Sequence, residues 1–350
     1  MSNSTENSNI RRITTLLGKR MEIIQKKVNK MEEEQKMSRS TKQSFNIKDN
    51  EPLTEYEEDI ALGLLNDLNN EFNNYKLLEQ FKPVIIGSFA ISKQNTLPFI
   101  NYPVTDIDVK ICGPDSLEPQ HLQELMDTIP KSKRLEQHGV MLNGKVISGF
   151  TQLNGSLNLH LLPIIRAKII SILAPKIDTL NYQTNSSTPL WEIRNSLLPK
   201  ESNDDFLPEH YPIKVFYGNR QIIDIAFSLK GPESQSILCD SFEYTFKKDN
   251  SSQTKFTIPM AKLTSLAENL LEYTSEESIE KDPSIKDKLS SWNQQLKIVQ
   301  LSLRKKMNGG KKTIKKKRKR KIKNKTKNKK IKGKRKGKRK TTRKKNKILI

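Results

Sequence analysis

The segment "PVIIGSFAISKQNTLPFINYPVTDIDVKI", residues 83–111, constrains the fold more than any other part of the chain. An apolar run enters Gly87 and "SFAISK" can begin a helix there, so the sequence predicts a strand that turns directly into a helix. Asp106 and Asp108 then alternate with apolar residues, which places both carboxylates on one face of a second strand. Their mutual repulsion favours a divalent cation between them.

A third carboxylate is expected from "YPIKVFYGNRQIIDIAFSLKG", residues 211–231. Two β-rich runs flank Gly218-Asn219, a dipeptide that suits the positive φ angles of a tight hairpin turn. Asp224 falls in the second run among isoleucines, where a carboxylate is costly unless it is paired, protonated or bound to a cation. If the two aspartate strands are neighbours, Asp106, Asp108 and Asp224 share one site.

Three carboxylates beside a Gly-Ser step suit nucleotidyl transfer. Two Mg²⁺ ions held by carboxylates can clamp a triphosphate, activate a hydroxyl and stabilise the leaving pyrophosphate. Gly87 lets the backbone approach phosphate, while amides and the Ser88 hydroxyl donate hydrogen bonds to it. Lys262, on a later helix, is a candidate contact to triphosphate or RNA, and a solvated helix lysine is the alternative.

"IIGSFA", "TDIDVK" and "IIDIAF" resemble the three signatures of the polymerase-β-type nucleotidyltransferase superfamily. Within it, residues 80–272 resemble the poly(A) polymerase catalytic subunits of large cytoplasmic DNA viruses, of the poxvirus and giant-virus type. "GGKK" before the lysine-rich tail is similar to the tail opening of the giant-virus proteins.

The resemblance implies a small mixed sheet backed by helices, ATP as donor, an RNA 3′ hydroxyl as acceptor and two Mg²⁺ ions, with Mn²⁺ as an alternative metal. It implies that Asp106 and Asp108 bind both metals and that Asp224 completes the acceptor-side metal. Gly87 and Ser88 would hold the triphosphate. Two intervals are longer than the family pattern: "KQNTLPFINYP", residues 93–103, is an inserted loop, and a further insertion separates Asp108 from Asp224.

The net charge of +24 belongs to the end of the chain. Residues 311–350 contain 25 of the 63 Lys and Arg residues and none of the 39 Asp and Glu residues, so the first 310 residues are close to neutral. Such a tail is expected to be disordered and suits polyanions, because binding phosphates releases counterions without reading sequence. A solvated arm without a specific partner is the alternative.

The fold class predicted is α+β: a nucleotidyltransferase-type mixed sheet flanked by helices. Residues 1–50 would form an amphipathic helix, interrupted at Gly18, followed by a polar linker. Residues 51–250 would form the catalytic domain, which begins with a helix capped by Thr54 and Glu57. Residues 251–308 would be helical and residues 309–350 the disordered basic tail. Hairpins are expected at the "LNG" steps 142–144 and 153–155, and "TIPMAKLTSLAENLLEYT" is expected to be a helix. Trp191 and Trp292 are expected to be core or packing residues.

Cys112 and Cys239 predict neither a disulfide framework nor a zinc site, which makes a reducing compartment the simplest expectation. Neither a signal peptide nor a membrane span is expected. We therefore expect an intracellular, soluble protein in a cytoplasmic viral factory or virion if it is viral, or in the nucleus given the basic run. The sequence leaves open whether the first helix forms a homodimer. It also leaves open whether a separate partner confers processivity.

Two other functions fit the same residues. One is a nucleotidyltransferase that modifies a small molecule, a protein hydroxyl or another nucleotide. The other is a catalytically inactive RNA-binding protein that retains the fold while its tail binds nucleic acid.

Overall fold

The computed structural model describes residues 2–37, 51–95, 103–130, 141–142, 145–146, 161–184, 190–195, 212–229, 236–247, 255–281 and 288–307. The helices are α1 (Ser2–Met37), α2 (Glu55–Asn74), α3 (Gly87–Lys93), α4 (Pro119–Asp127), α5 (Leu161–Gln183), α6 (Leu263–Tyr273), α7 (Glu276–Lys281) and α8 (289–307). The strands are β1 (Lys82–Ile85), β2 (Ile107–Gly113), β3 (Met141–Leu142), β4 (Lys145–Val146), β5 (Trp191–Asn195), β6 (Ile213–Tyr217), β7 (Arg220–Leu229), β8 (Ser241–Lys247) and β9 (Lys255–Ala261). The chain is therefore a mixed α/β structure.

Seven strands form one mixed sheet in the order β5-β6-β7-β2-β1-β9-β8. The β2–β7 and β1–β9 pairs are parallel, and the other neighbouring pairs are antiparallel. The two aspartate strands are thus neighbours and run in the same direction. Ile107, Val109 and Ile111 on β2 are buried, and they alternate with Asp108 and Lys110.

Helices cover the sheet and extend its core. α2 packs against β1 and β9, where the Asn69 side-chain amide donates to the Thr257 carbonyl at 3.2 Å. α5 packs against β5 and α2, α3 against β2, and α1 against α6. Because buried residues of α1, α2, α5, α6, α8 and the sheet belong to one hydrophobic cluster, these elements stabilise one another.

The first helix is continuous where the sequence suggested an interruption. Gly18 lies inside α1, and a Cβ placed there would stand 2.8 Å from Nε2 of Gln300 on α8. The Gln300 amide donates to the Thr14 carbonyl at 2.9 Å. Gly18 therefore marks a close approach between two helices, and the apolar face of α1 is occupied within the chain.

Several local predictions are confirmed. Thr54 and Glu57 form the predicted capping box at the start of α2. β6 and β7 form a hairpin around Gly218, whose φ is +60°, and β3 pairs with β4 across residues 143–144. Trp191 is buried. The segment "TIPMAKLTSLAENLLEYT" was assigned wrongly in its first half, because residues 257–261 belong to β9 and the helix begins only at Leu263.

The spacing of the buried residues explains why this segment was assigned wrongly. Ile258 and Met260 are both buried and lie two residues apart, as in a strand, and helical spacing begins only after them. The "LNG" step at 153–155, most of the inserted loop 93–103 and the basic tail lie outside the described residues. Within the described part of the chain, no helix is long and apolar enough to cross a membrane.

The two cysteines correct another expectation. Cys112 at the end of β2 and Cys239 before β8 form a disulfide bond, with their Cα atoms 5.7 Å apart. The bond joins residues 127 positions apart in the sequence, so their spacing gave no sign of it. The expected reducing compartment, which was based on the absence of such a bond, loses that support.

Candidate active site

The strand pairing brings the three predicted carboxylates to one edge of the sheet. Asp108 stands in register with Asp224 across the parallel pair β2–β7. Asp106 immediately precedes β2, and one side-chain amide, that of Gln221, donates to both Asp106 Oδ2 at 3.0 Å and Asp224 Oδ2 at 3.2 Å. A single amide can bridge these carboxylates only if they face the same space.

A lysine completes this network. Lys214 lies on β6 directly opposite Asp224, and its Nζ is 3.3 Å from Asp224 Oδ2. The same ammonium group donates to Gln221 Oε1 at 2.8 Å. One positive charge and one amide therefore face three carboxylates.

A β-bulge explains how Gln221 and Asp224 face the same side although they are three residues apart. Phe216 pairs with Gln221 but Val215 pairs with Ile223, so Ile222 is an extra residue on β7. Ile222 and Ile223 are consecutive and both buried, which an unbroken strand would not allow on one face. Because of the bulge, Asp224 lies on the same face of β7 as Gln221, and Lys214 lies opposite Asp224.

Burial, followed by the charges of Asp106 and Asp224, raises the pKa of Asp108 to about 8. Burial also raises the pKa of Asp106, while hydrogen bonds from Thr105 and Gln221 act in the opposite direction. The Asp108 carboxyl group is therefore protonated in about half of the molecules near pH 8 when no cation is bound. A cation would favour its ionised form.

Gly87 is packed against one of these carboxylates. Its φ is +66°, and a Cβ placed there would stand 2.1 Å from Asp108 Oδ2. The Ile86 amide before it donates to the Asp108 carbonyl at 2.9 Å. Ser88 follows in the first turn of α3 and is half-buried. The Gly-Ser step and the carboxylates are thus adjacent, as the sequence predicted, because β1 and β2 are antiparallel neighbours.

Lys262 lies at the same edge of the sheet but farther away. It follows β9, which is separated from β2 by β1, and it caps α6. Its ammonium group pairs with Asp240. Tyr273, near the end of α6, is half-exposed beside Trp292, with ring centroids 6.4 Å apart. Neither residue belongs to the carboxylate cluster.

The donor set fits Mg²⁺ or Mn²⁺, since all three side chains offer carboxylate oxygens, the ligands preferred by hard divalent cations. The ammonium group of Lys214, which pairs with Asp224, supplies positive charge to this cluster. As they are oriented, however, no three His, Cys, Asp or Glu side chains of the described residues form a metal-binding group. Lys214 and Gln221 hold Oδ2 of Asp224, and Gln221 also holds Oδ2 of Asp106.

Lys214 and Gln221 were not predicted from the sequence as site residues. The hairpin turn at Gly218 indicated which strands pair, but the position of Lys214 depends on the bulge. In a regular two-residue hairpin, Lys214 would pair with Ile223 instead of Asp224. No residue type in this segment identifies a bulge at Ile222.

Comparisons with protein-family models, with curated proteins and with solved structures gave no match to this chain. The site is therefore interpreted from its own residues.

Proposed function

We propose that this chain is a template-independent nucleotidyltransferase of the polymerase-β type, and specifically a poly(A) polymerase that adds AMP from ATP to RNA 3′ ends. The observation that carries the proposal is the convergence of Asp106, Asp108 and Asp224 beside Gly87 at one edge of a mixed sheet. The three carboxylates would provide a cation site, and the backbone amides and the Ser88 hydroxyl that follow Gly87 would provide a phosphate site.

Each residue has a role in this proposal. Asp106, Asp108 and Asp224 would hold two divalent cations, and bound Mg²⁺ would stabilise charge on the triphosphate and on the attacking hydroxyl. Asp108 must be ionised to bind a cation, so its raised pKa makes binding favour higher pH. Gly87 and Ser88 orient the triphosphate with backbone amides and a hydroxyl group.

One observation favours a second candidate, a catalytically inactive RNA-binding protein. Lys214 and Gln221 hold Asp224 in an ion pair and a hydrogen bond, an arrangement that also stabilises the fold without any metal. In that case the carboxylates need no cation, and RNA binding would survive their removal.

The test is primer extension by the purified full chain with Mg²⁺, an RNA primer and each of the four labelled ribonucleoside triphosphates. We expect extension with ATP, and a loss of more than about a hundredfold in Asp108→Asn and Asp224→Asn. Asp67→Asn is the matched control, because Asp67 is a partly exposed acid outside the cluster that pairs with Lys176 on α5.

Extension that is undiminished in Asp108→Asn would contradict the proposal. Absence of extension by a folded wild-type chain, with RNA binding retained in both aspartate variants, would identify the inactive RNA-binding protein. Incorporation of label into a small molecule or a protein in place of RNA would retain the class of enzyme and change the acceptor.

A further inference from the structure

A cavity of about 1050 Å³ opens between the ends of several elements, away from the carboxylate cluster. Its walls come from the start of α1, the end of α3, the start of β8, the start of α6 and the end of α8. Four lysines line it, against two acids: Lys93, Lys262, Lys305 and Lys306, with Glu6 and Asp240. Lys93 pairs with Glu58, which lies outside the lining, so the other three lysines face two acids and the positive excess is small.

The ion pairs within this cavity are partly exposed to solvent. Lys262 pairs with Asp240, and Lys306 lies 3.6 Å from Glu6, in both cases with side chains that are about half-exposed. Exposed pairs of this kind are weak, so a ligand phosphate can replace the carboxylate as partner. Because lysines outnumber acids, a ligand with several phosphates would gain more attraction than repulsion.

An exposed aromatic side chain lies among the lysines. Phe242 on β8 lines the same cavity and is 38% exposed. Apolar side chains of this size are usually buried, and exposed aromatics beside lysines are typical of surfaces that bind single-stranded nucleic acid. The lysines would contact the backbone and the ring would stack on a base.

The cavity is also well placed relative to the carboxylate cluster. α3 begins at Gly87, against Asp108, and ends at Lys93 on the cavity wall. A helix of this length spans about 9 Å. The Gln94 side-chain amide donates to the Ala261 carbonyl at 2.8 Å and fixes the end of α3 to the residue before Lys262. An RNA strand bound in the cavity could therefore cover the distance along α3 to the carboxylates with one or two further nucleotides.

From these observations we propose that the cavity binds the phosphodiester backbone of single-stranded RNA, with Lys262, Lys305 and Lys306 on the phosphates and Phe242 stacked on a base. The choice of RNA as ligand rests on the proposed function. The lysine-rich sequence begins at residue 311, five positions after Lys306 in the chain.

A lysine footprint on the full chain tests the site directly. The probe is an oligoadenylate RNA with a 3′-deoxy end, without ATP or Mg²⁺, so no chemistry can occur. We expect RNA to protect Lys262, Lys305 and Lys306 from acetylation, while Lys76 and Lys297, exposed lysines outside the cavity, stay reactive. Protection restricted to lysines of residues 311–350, or equal protection of all lysines, would overturn the proposal.

Substitutions provide an independent measurement of affinity. For Lys305→Gln/Lys306→Gln, the slope of log affinity against log salt should become shallower by about 1.4, the value for two lost contacts to a single strand. Lys297→Gln on the same helix should leave the slope closer to that of the wild type. Phe242→Ala should weaken binding at least about fivefold, whereas Tyr182→Ala, which removes an aromatic ring that is 86% exposed elsewhere, should not.

Competition experiments distinguish single-stranded RNA from duplex RNA and free ATP as ligands of the cavity. Duplex RNA or free ATP that displaces the oligoadenylate as well as a single strand does would overturn the proposal. Its outcome is also separable from that of the proposed function. If RNA protects the cavity lysines of a chain that cannot extend RNA, the proposed binding site holds and the proposed enzymatic activity does not. If the chain extends RNA without protection of these lysines, the activity holds and the binding site does not.

Discussion

Lys214 stands directly opposite Asp224 across the β6–β7 hairpin, with its Nζ 3.3 Å from Asp224 Oδ2. This ammonium group is the positive partner of the carboxylate cluster, and it holds Gln221 as well. In the proposed enzyme a divalent cation would bind the same carboxylate, so we expect lysine and metal to compete for Asp224.

Replacing Lys214 with methionine should expose that competition. Without divalent cations, Lys214→Met should lower the free energy of unfolding by about 1–2 kcal/mol, since the carboxylates lose a partly exposed partner. With Mg²⁺, the variant should gain more thermal stability than the wild type does, because the metal no longer displaces a lysine.

Thermal unfolding with and without Mg²⁺ measures both effects, with Lys297→Met as the matched control on an exposed helix position. An identical Mg²⁺ shift in wild type and Lys214→Met would show that lysine and metal do not compete.

We expect three glycine-to-alanine substitutions to change the free energy of unfolding by different amounts, with the largest loss at Gly87. Gly87→Ala combines a positive φ with a Cβ 2.1 Å from Asp108 Oδ2, so it should cost about 2–4 kcal/mol and displace that carboxylate. Gly218→Ala has a similar φ of +60° but open space around the new Cβ, so it should cost only about 1–2 kcal/mol.

Gly63→Ala, in the middle of α2 with open space, should stabilise the chain by about 0.5–1 kcal/mol. Urea unfolding measures all three. A cost for Gly87→Ala no greater than that for Gly218→Ala would show that the approach to Asp108 is easily relieved and would weaken the assignment of Gly87 as a positioning residue.

The raised pKa of Asp108 predicts how stability depends on pH in EDTA. Its folded-state value of about 8 exceeds the ordinary 3.8, so the folded chain retains a proton that the unfolded chain has lost. The stability from this group is full below pH 4 and falls as pH rises to 8.

Asp108→Asn should therefore be more stable than the wild type at pH 8, by roughly 1–3 kcal/mol, and differ little at pH 4. Mg²⁺ should stabilise the wild type more at pH 8 than at pH 6, because it binds the ionised form. Urea unfolding at each pH is the measurement, and a difference between variant and wild type that does not change with pH would refute the shift.

The sequence predicted the parts of the site that depend on local pattern. Alternation placed Asp106 and Asp108 on one face, and the Gly218 turn predicted the hairpin that carries Asp224. Whether β2 and β7 are neighbours depends on long-range pairing, which the residues of either strand leave open. The bulge at Ile222 was beyond prediction for a related reason: burial of two consecutive isoleucines fits either a bulge or a strand buried on both faces.

The Cys112–Cys239 disulfide is expected to contribute to the stability of the fold without contributing to the carboxylate cluster. Cys112 lies four residues after Asp108 on β2, about 13 Å along the strand, so the bond restrains the opposite end of that strand. Reduction, or Cys112→Ala/Cys239→Ala, removes a cross-link over 127 residues and should lower the free energy of unfolding by about 2–4 kcal/mol.

Because the carboxylate cluster lies at the other end of β2, RNA extension at low temperature should persist after the bond is removed. Urea unfolding with and without dithiothreitol measures the stability, and the double alanine variant is the control, since reductant should leave it unchanged. Loss of extension at temperatures where the reduced chain is still folded would mean that the bond also positions Asp108, and the cross-link would then belong to the site as well as to the core.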